Sequence, residues 1–187
     1  MHGALPPQWV RGLVCAVADG IGGHEAGDVA SALAIQIFEE TVREAEMTAG
    51  DPETAAAFLK RGHTLAHAAI RQQATGTRAG MGTTLVSAGF LDGTVSLCNT
   101  GGDSRCTLIR RGGTVLPLTT DHSFVQDLVD RDILTPEEAA SHPMRNIITH
   151  SLGGVILLPS ARCTPPFAPV TRWSSPRTAC TTTSHGR

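Results

Sequence analysis

The stretch GLVCAVADGIGGHEAGDVAS, residues 12–31, determines how the rest of this 187-residue chain is interpreted. A short apolar run over residues 12–18, bounded by glycine, predicts a buried β-strand. The run ends at Asp19, and three of the next four residues are glycine. An acid at the tip of a strand lies at the edge of a sheet, and glycines beside it let a ligand approach the backbone closely.

Asp19 and the backbone carbonyl of Gly20 form a candidate site for a hard divalent cation. Mg²⁺ and Mn²⁺ prefer carboxylate, carbonyl and water oxygens, and this pair supplies two of these ligands. The simpler alternative is that Asp19 caps a turn and that the glycines only make a tight loop. A phosphate cradle is disfavoured, because neither G-x-x-x-x-G-K-[ST] nor G-x-G-x-x-G occurs in the chain.

Helical and strand patterns follow each other in blocks further along the chain. Apolar residues recur at helical spacing over residues 28–46, with Asp28 as the expected N-cap, and a second helix is predicted over residues 52–73. Short β-branched runs between residues 83 and 118 are separated by Asp-Gly and Gly-Gly pairs, which predicts antiparallel hairpins. Strands grouped in this way, with two short helices after them, indicate an α+β domain.

The composition disfavours several classes of protein. Lys and Arg number 15 against 17 Asp and Glu, so no nucleic-acid surface is expected. No apolar run approaches the roughly 20 residues that cross a bilayer, so neither a membrane partner nor a signal peptide is expected. Five cysteines occur without a C-x-x-C pair, which disfavours zinc and favours a cytoplasmic, reduced protein.

Two further polar stretches are candidates for a site. In NTGGDSR, residues 99–105, Asp103 lies in a glycine-rich turn at a strand end, where an ordinary hairpin turn is the alternative explanation. In TTDHS, either Asp121 or Ser123 is expected to cap the following helix. His122 is expected to be an ordinary loop residue.

Four ordered stretches together resemble one known family. They read VADGIGGHEAGDVAS, GMGTTLVSAGF, NTGGDSR and TTDHSFVQDLVDRDILTPEEAASHPMRNIITHSLGG, and they cover residues 13–154. This pattern resembles the bacterial branch of the protein phosphatase 2C family, the metal-dependent Ser/Thr protein phosphatases. The resemblance implies a layered β-sandwich of two antiparallel sheets flanked by helices, incomplete here. It also implies hydrolysis of phosphoserine or phosphothreonine in a protein substrate by a metal-activated water.

The resemblance also implies a set of metal ligands. Two Mg²⁺ or Mn²⁺ ions are implied, with Asp19 bridging them and the carbonyl of Gly20 binding one of them. Asp103 matches the acid that serves a third, weaker ion in bacterial members. Ile21 stands where animal members carry a His that can act as the general acid, so the identity of that acid stays open. The particular phosphoprotein and the oligomeric state also stay open.

Several acids of the family pattern are missing from the chain. The family carries an Arg and a Glu-Asp pair before the Asp-Gly-x-Gly-Gly loop, but no acid precedes Asp19, so residues 1–154 are expected to be an N-terminally truncated family domain. The family's Ser-Asp-Gly-Leu and Gly-x-Asp-Asn motifs are also missing, and no acid follows Glu138. Residues 155–187, rich in Pro, Thr, Ser and Arg, predict an aberrant or disordered tail.

A shifted reading frame would explain the tail. With GC-rich codons, reading the DNA for residues 165–183 from each third base permits the translation PLRPGDALVLASDGLHD, which contains Ser-Asp-Gly-Leu. The family's missing Asp would then fall across the codons of Arg177 and Thr178. We therefore expect a frameshift product after about residue 154 and an inactive fragment. The alternatives are a non-catalytic phosphatase-like binding module, or a phosphate- or nucleotide-binding α/β protein, for which no P-loop or βαβ alternation is seen.

Overall fold

The chain folds into antiparallel sheets and helices, in the order strand, helices, strands, helices and two further strands. The computed structural model describes residues 13–22, 24–44, 52–91, 94–110, 113–154, 162–167 and 179–183. The strands are β1 (Leu13–Val17), β2 (Gly20–Ile21), β3 (Gly82–Thr83), β4 (Leu85–Leu91), β5 (Thr94–Thr100), β6 (Arg105–Ile109), β7 (Val115–Pro117), β8 (Arg162–Phe167) and β9 (Ala179–Thr183). The helices are α1 (His24–Glu44), α2 (Pro52–Gln73), α3 (Phe124–Val129) and α4 (Pro136–Ser141).

All strand pairs among the described residues are antiparallel, as the hairpin signals predicted. The first sheet has the order β1-β4-β5-β8, and the second sheet has the order β7-β6-β9. Strand β2 follows β1 in the sequence and pairs with β3 in a short ladder, in which Gly20 is opposite Thr83. The predicted α+β architecture of antiparallel sheets with helices is confirmed, with the β2–β3 ladder as an additional small sheet.

Side chains alternate across β4 and β5 and divide the core into two layers. Leu85 and Cys98 pack in a cluster with residues of α1 and α2. Their neighbours Val86 and Leu97 belong to a second cluster, together with Cys106 of β6. Because successive side chains of a strand point to opposite faces, the first sheet is covered by helices on one face and by the second sheet on the other.

Helix α1 begins four residues before the predicted start, so the expectation that Asp28 is its N-cap is wrong. Glycine has a poor helix propensity, and the sequence pattern therefore placed Gly27 outside the helix. In the structure Gly27 lies in the first turns of α1 and contacts Gly20. A Cβ atom added to Gly20 would lie 2.2 Å from the backbone oxygen of Gly27. The contact between Gly20 and Gly27 thus overrides the local preference and fixes α1 against β2.

Other helix predictions agree closely with the structure. Helix α2 has the predicted bounds of residues 52–73. Helix α4 begins with Pro136, and its N-cap Thr135 accepts a hydrogen bond from the backbone N–H of Glu138 at 3.2 Å. The Glu138 carboxylate accepts in return from the backbone N–H of Thr135, which completes a capping box. Among the described residues, no helix has both the length and the apolar character needed to cross a membrane.

Two segments of the tail form edge strands. The backbone of β8 pairs with β5, with Cys163 opposite Cys98 and a register shift between Val95 and Leu97. The backbone of β9 pairs with β6, with Cys180 opposite Leu108. The disorder expected for residues 155–187 therefore does not extend to these two segments. A frameshifted origin of the tail stays a prediction.

Candidate functional site

The backbone of Asp19 is held on both sides by a pair of threonines. Its N–H donates to Oγ1 of Thr84 at 3.0 Å, and its carbonyl accepts from the N–H of Thr84 at 2.9 Å. The same carbonyl accepts from the hydroxyl of Thr83 at 2.9 Å. These bonds span the join between β1 and β2, so they fix where the half-buried Asp19 leaves the sheet.

The loop that carries Asp103 is attached to the same threonine. Oγ1 of Thr84 lies 2.8 Å from Oγ of Ser104, and both side chains are fully buried. On the other side of Asp103, Gly102 has a φ of +81°, and a Cβ atom there would lie 2.2 Å from the methyl carbon of Thr84. Only glycine fits this position. Thr84 thus contacts both the backbone of Asp19 and the loop that carries Asp103, two segments that are far apart in the sequence.

The described residues do not fit a complete two-ion centre. Gly20 adjoins Asp19 and is half-buried in β2. In the part of the chain that the structure describes, however, no group of three or more His, Cys, Asp or Glu side chains is arranged to hold a metal ion. Asp19, Gly20 and Asp103, called here the candidate corner of the implied site, therefore keep their metal roles as predictions.

Arg105 and Asp121 form the ion pair next to this corner. Nε and Nη2 of Arg105 donate to the two carboxylate oxygens of Asp121 at 2.7 and 2.6 Å. The hydrogen bond to Asp121 raises the pKa of Arg105, and the Asp121 side chain is only 12% exposed. Asp121 therefore pairs with Arg105. The N-cap of α3 is Ser123, whose Oγ accepts a hydrogen bond from the N–H of Gln126 at 3.3 Å.

The segment before α3 and the segment near residue 150 also pack on the glycine loop. The N–H of His122 donates to the carbonyl of Gly102 at 2.9 Å, and the N–H of Thr149 donates to the carbonyl of His122 at 2.8 Å. The rings of His122 and His150 meet edge to face, with centroids 5.2 Å apart. His122 is therefore part of the support of the Asp103 loop, which the expectation of an ordinary loop residue did not include.

A buried histidine lies behind the end of β5. Nδ1 of His63 is 2.6 Å from the hydroxyl of Thr100, and Nε2 is 2.8 Å from the hydroxyl of Ser87. Burial lowers the pKa of His63 to about 3, so the ring is neutral at physiological pH. His63 stands at a core position of the apolar pattern of α2, between Leu59 and Ala66, and this was the signal that could have identified it.

A groove of about 560 Å³ opens beside Asp103. Its walls come from the Arg105–Asp121 pair and from α3 and α4, and Arg145 and Asn146 lie at its side. The groove therefore combines the candidate carboxylate with two arginines, one of which is neutralised by Asp121.

Comparison with known sequences identifies the family. The sequence model described as protein phosphatase 2C matches residues 7–158, which is most of the chain. The chain belongs to the protein phosphatase 2C family. The resemblance drawn from the four ordered stretches is confirmed, and the matched region contains Asp19, Gly20 and Asp103.

Individual members of the protein phosphatase 2C family agree with this assignment. The serine/threonine phosphatase stp of Listeria welshimeri is 38% identical over 141 residues, which is 73% of this chain and 54% of that protein. The chain thus spans about half the length of this curated relative. The solved structure of the S. agalactiae serine/threonine phosphatase superposes with a TM-score of 0.70 at 31% identity, covering 79% of this chain and 60% of the other.

A third relative bears on the metal question. The catalytic domain of the phosphatase PstP, solved in complex with two manganese ions, superposes with a TM-score of 0.59 at 33% identity. The match covers 81% of this chain and 59% of that structure.

The sequence patterns alone did not identify Thr84 and Ser104 as the residues that join the two acids, although both lie inside the stretches that carry the resemblance.

Proposed function

We propose that this chain is part of a protein Ser/Thr phosphatase of the 2C type that acts on phosphoserine or phosphothreonine in proteins with Mg²⁺ or Mn²⁺. The observation that carries the proposal is the attachment of both Asp19 and the Asp103 loop to Thr84. The backbone of one acid and the loop that carries the other come from distant parts of the chain and are both held by this threonine. Such acids are suitable ligands for hard divalent ions, and a bound ion would supply a hydroxide near neutral pH.

The groove beside Asp103 is the proposed place for the phosphorylated segment of a substrate. Its volume of about 560 Å³ falls within the range of ligand clefts. Arg145 lines the groove, and arginine binds phosphate oxygens well because of its planar fork of donors. Arg105 is engaged with Asp121, so it is expected to shape the groove and leave phosphate contacts to Arg145.

We further propose that the 187-residue chain as written is inactive. All its acids lie between Asp19 and Glu138, and the family's Ser-Asp-Gly-Leu and Gly-x-Asp-Asn acids have no counterpart. Asp19 and Asp103 alone supply too few carboxylates for two ions, so we assign no hydrolytic step to the chain as written. A third ion at Asp103 and a cytoplasmic location belong to the same proposal.

A non-catalytic phosphatase-like binding module is the second candidate. The tail adds β8 to the first sheet and β9 to the second sheet, and a pseudoenzyme would retain folded strands of this kind. Such a module would bind a phosphopeptide in the groove without releasing phosphate.

The deciding experiment uses the uninterrupted reading frame recovered from the encoding DNA. Expressed whole and supplied with Mn²⁺, it should release phosphate from a phosphothreonine peptide, and Asp19→Asn should abolish the release. Asp132→Asn is the matched control, because Asp132 is exposed and does not line the groove. Binding of the peptide without turnover by the uninterrupted protein would favour the binding module.

A further inference from the structure

Helix α2 carries a second histidine, His67, which is half-buried and takes no part in the proposed chemistry. Its Nδ1 accepts a hydrogen bond of 3.1 Å from the backbone N–H of Gly153. Gly153 has a φ of +79°, and a Cβ atom added to it would lie 2.2 Å from Cγ2 of Ile70, so the backbone lies directly on the helix. His67 therefore anchors the chain at residue 153 to α2.

The anchored segment, residues 150–153, supports the strand end that carries Asp19. The N–H of Leu152 donates to the carbonyl of Thr83 at 2.8 Å, and the N–H of Thr83 donates back to the carbonyl of Leu152 at 3.0 Å. The hydroxyl of Thr83 in turn donates to the carbonyl of Asp19 at 2.9 Å. Three hydrogen bonds thus join the anchored segment to the backbone of Asp19.

The same segment also contacts the loop that carries Asp103. Gly101 has a φ of +81°, and a Cβ atom added to it would lie 2.4 Å from the carbonyl oxygen of His150. This close approach of two backbones places the anchored segment against the glycine-rich turn. Contacts therefore run from His67 through one segment to both loops of the candidate corner.

The bond between Gly153 and His67 can form only while the imidazole is neutral. A backbone N–H can only donate, so Nδ1 must be the unprotonated nitrogen of the ring. Burial lowers the pKa of His67 from its ordinary value of 6.5, and the charge of Arg71 lowers this pKa further. The bond is therefore complete above pH 6.5 and is lost as the pH falls through the lower pKa of the folded chain.

The described surroundings of His67 offer no acid that would retain its proton. Strands β4 and β5, which pack on α2, carry no Asp, Glu, His, Lys or Arg, and neither do residues 151–154. Helix α1 also packs on α2, but Arg71 is the one described residue whose charge affects the pKa of His67. On α2 itself, His63 stays neutral in this range, because burial lowers its pKa to about 3. A proton on His67 thus stays uncompensated and opposes the contact with Gly153.

We propose that His67 is a positioning residue for the candidate corner, and that its protonation releases residues 150–153 from α2 and loosens the loops that carry Asp19 and Asp103. The neutral ring holds the anchored segment in place, and the segment supports both loops. The consequence for catalysis rests on the proposed phosphatase function, whereas the coupling between the histidine and the two loops does not.

The first test follows backbone amides of the full, metal-free chain by NMR between about pH 8 and about pH 4.5, a range that contains the titration of histidine. The amide signals of Gly153 and Thr83 should shift together, with a common midpoint below pH 6.5. His67→Gln should abolish both transitions, because glutamine can accept the same hydrogen bond but takes up no proton in this range. His142→Gln is the matched control and should leave both transitions unchanged, because Nδ1 of His142 also accepts from a backbone N–H, that of Met144 at 3.1 Å, outside the anchored segment.

A second variant tests the same histidine without removing the imidazole. Arg71 is exposed, so Arg71→Gln should leave the fold intact and move the midpoint upward by about 0.2–0.4 pH units. Arg61→Gln removes the same charge from a residue that does not affect His67, and it should leave the midpoint in place. This pair of variants decides the question if His67→Gln does not fold.

Three outcomes of the amide titration would overturn the proposal. They are fixed signals of Gly153 and Thr83 throughout the range, transitions that persist in His67→Gln, and a transition of Gly153 without one of Thr83. The last result would show that the hydrogen bond titrates but does not position the candidate corner.

The second test measures phosphate release by the uninterrupted protein with Mn²⁺ and a phosphothreonine peptide. The ratio of native turnover to that of His67→Gln should fall about twofold or more between about pH 7.5 and about pH 5, since every other titrating group cancels in the ratio. A constant ratio with turnover present would overturn the positioning role. Absence of turnover in both proteins would count against the phosphatase proposal, and the amide titration would still decide the role of His67.

Discussion

Replacing the buried histidine His63 by glutamine should change the pH dependence of stability in a defined direction. His63 bridges the hydroxyls of Thr100 and Ser87, and its ring meets Phe38 edge to face at 5.7 Å. Glutamine retains a donor and an acceptor but cannot take up a proton in this pH range. The comparison of His63→Gln with the native chain therefore isolates the titration of one imidazole.

The magnitude follows from the pKa of His63, which burial lowers from 6.5 to about 3. Because the folded pKa is depressed, the unfolded chain takes up the proton first. The stability that the neutral ring provides is therefore complete above pH 6.5 and is lost as the pH falls toward 3. The loss approaches about 1.4 kcal/mol per pH unit, with an upper limit of about 5 kcal/mol over the full interval. Between pH 7 and pH 5 the expected loss is about 2 kcal/mol.

The assay is urea denaturation followed by circular dichroism at pH 7 and pH 5. At pH 7 the native chain should be more stable than His63→Gln by about 1–3 kcal/mol, because buried hydrogen bonds are lost in the variant. At pH 5 this difference should shrink by about 2 kcal/mol, while every other titrating group, including His67, cancels in the comparison. Parallel stability curves for the two proteins would refute the assignment of a buried, neutral His63 between Thr100 and Ser87.

Three further outcomes test the packing and the origin of the tail. Gly20→Ala should cost about 3 kcal/mol or more in urea denaturation, because the added methyl meets backbone, whereas Gly80→Ala, which faces open space at a φ of +82°, should cost about 1 kcal/mol. Thr84→Val should cost about 1–3 kcal/mol, against less than about 0.5 kcal/mol for Thr64→Val on the exposed side of α2. Sequencing the DNA for residues 165–183 should reveal Ser-Asp-Gly-Leu in the alternative frame, and its absence would contradict the frameshift.

Periodicity was sufficient to predict most of the fold. The apolar spacing of α2, its first-turn proline and the Gly-containing hairpins depend on neighbouring residues, so the sequence contains the whole signal. The start of α1 could not be predicted in this way. It depends on the contact between Gly20 and Gly27, which exists only after β1 has paired with β4 and the helix has packed on the sheet.

In the candidate site, too, features that depend on neighbouring residues could be predicted, whereas contacts between distant residues could not. Asp19 and Asp103 each stand out as an acid in a glycine-rich strand end, and only the family resemblance linked them. Their common attachment to Thr84 requires the three-dimensional pairing of β2 with β3 and the close approach of Gly102. Buried His63 was missed for a related reason, because its polar partner Thr100 lies far away in the sequence.

The central claim is that this chain holds only one corner of a phosphatase 2C metal site, with Asp19 at that corner. The most direct measurement is phosphate release from a phosphothreonine peptide by the 187-residue chain with Mn²⁺, beside Asp19→Asn in the same chain. We predict no release above the variant, because the other carboxylates of a two-ion site have no counterpart in the sequence. Sustained turnover that Asp19→Asn abolishes would contradict the claim, since it would show that the chain already contains a complete site.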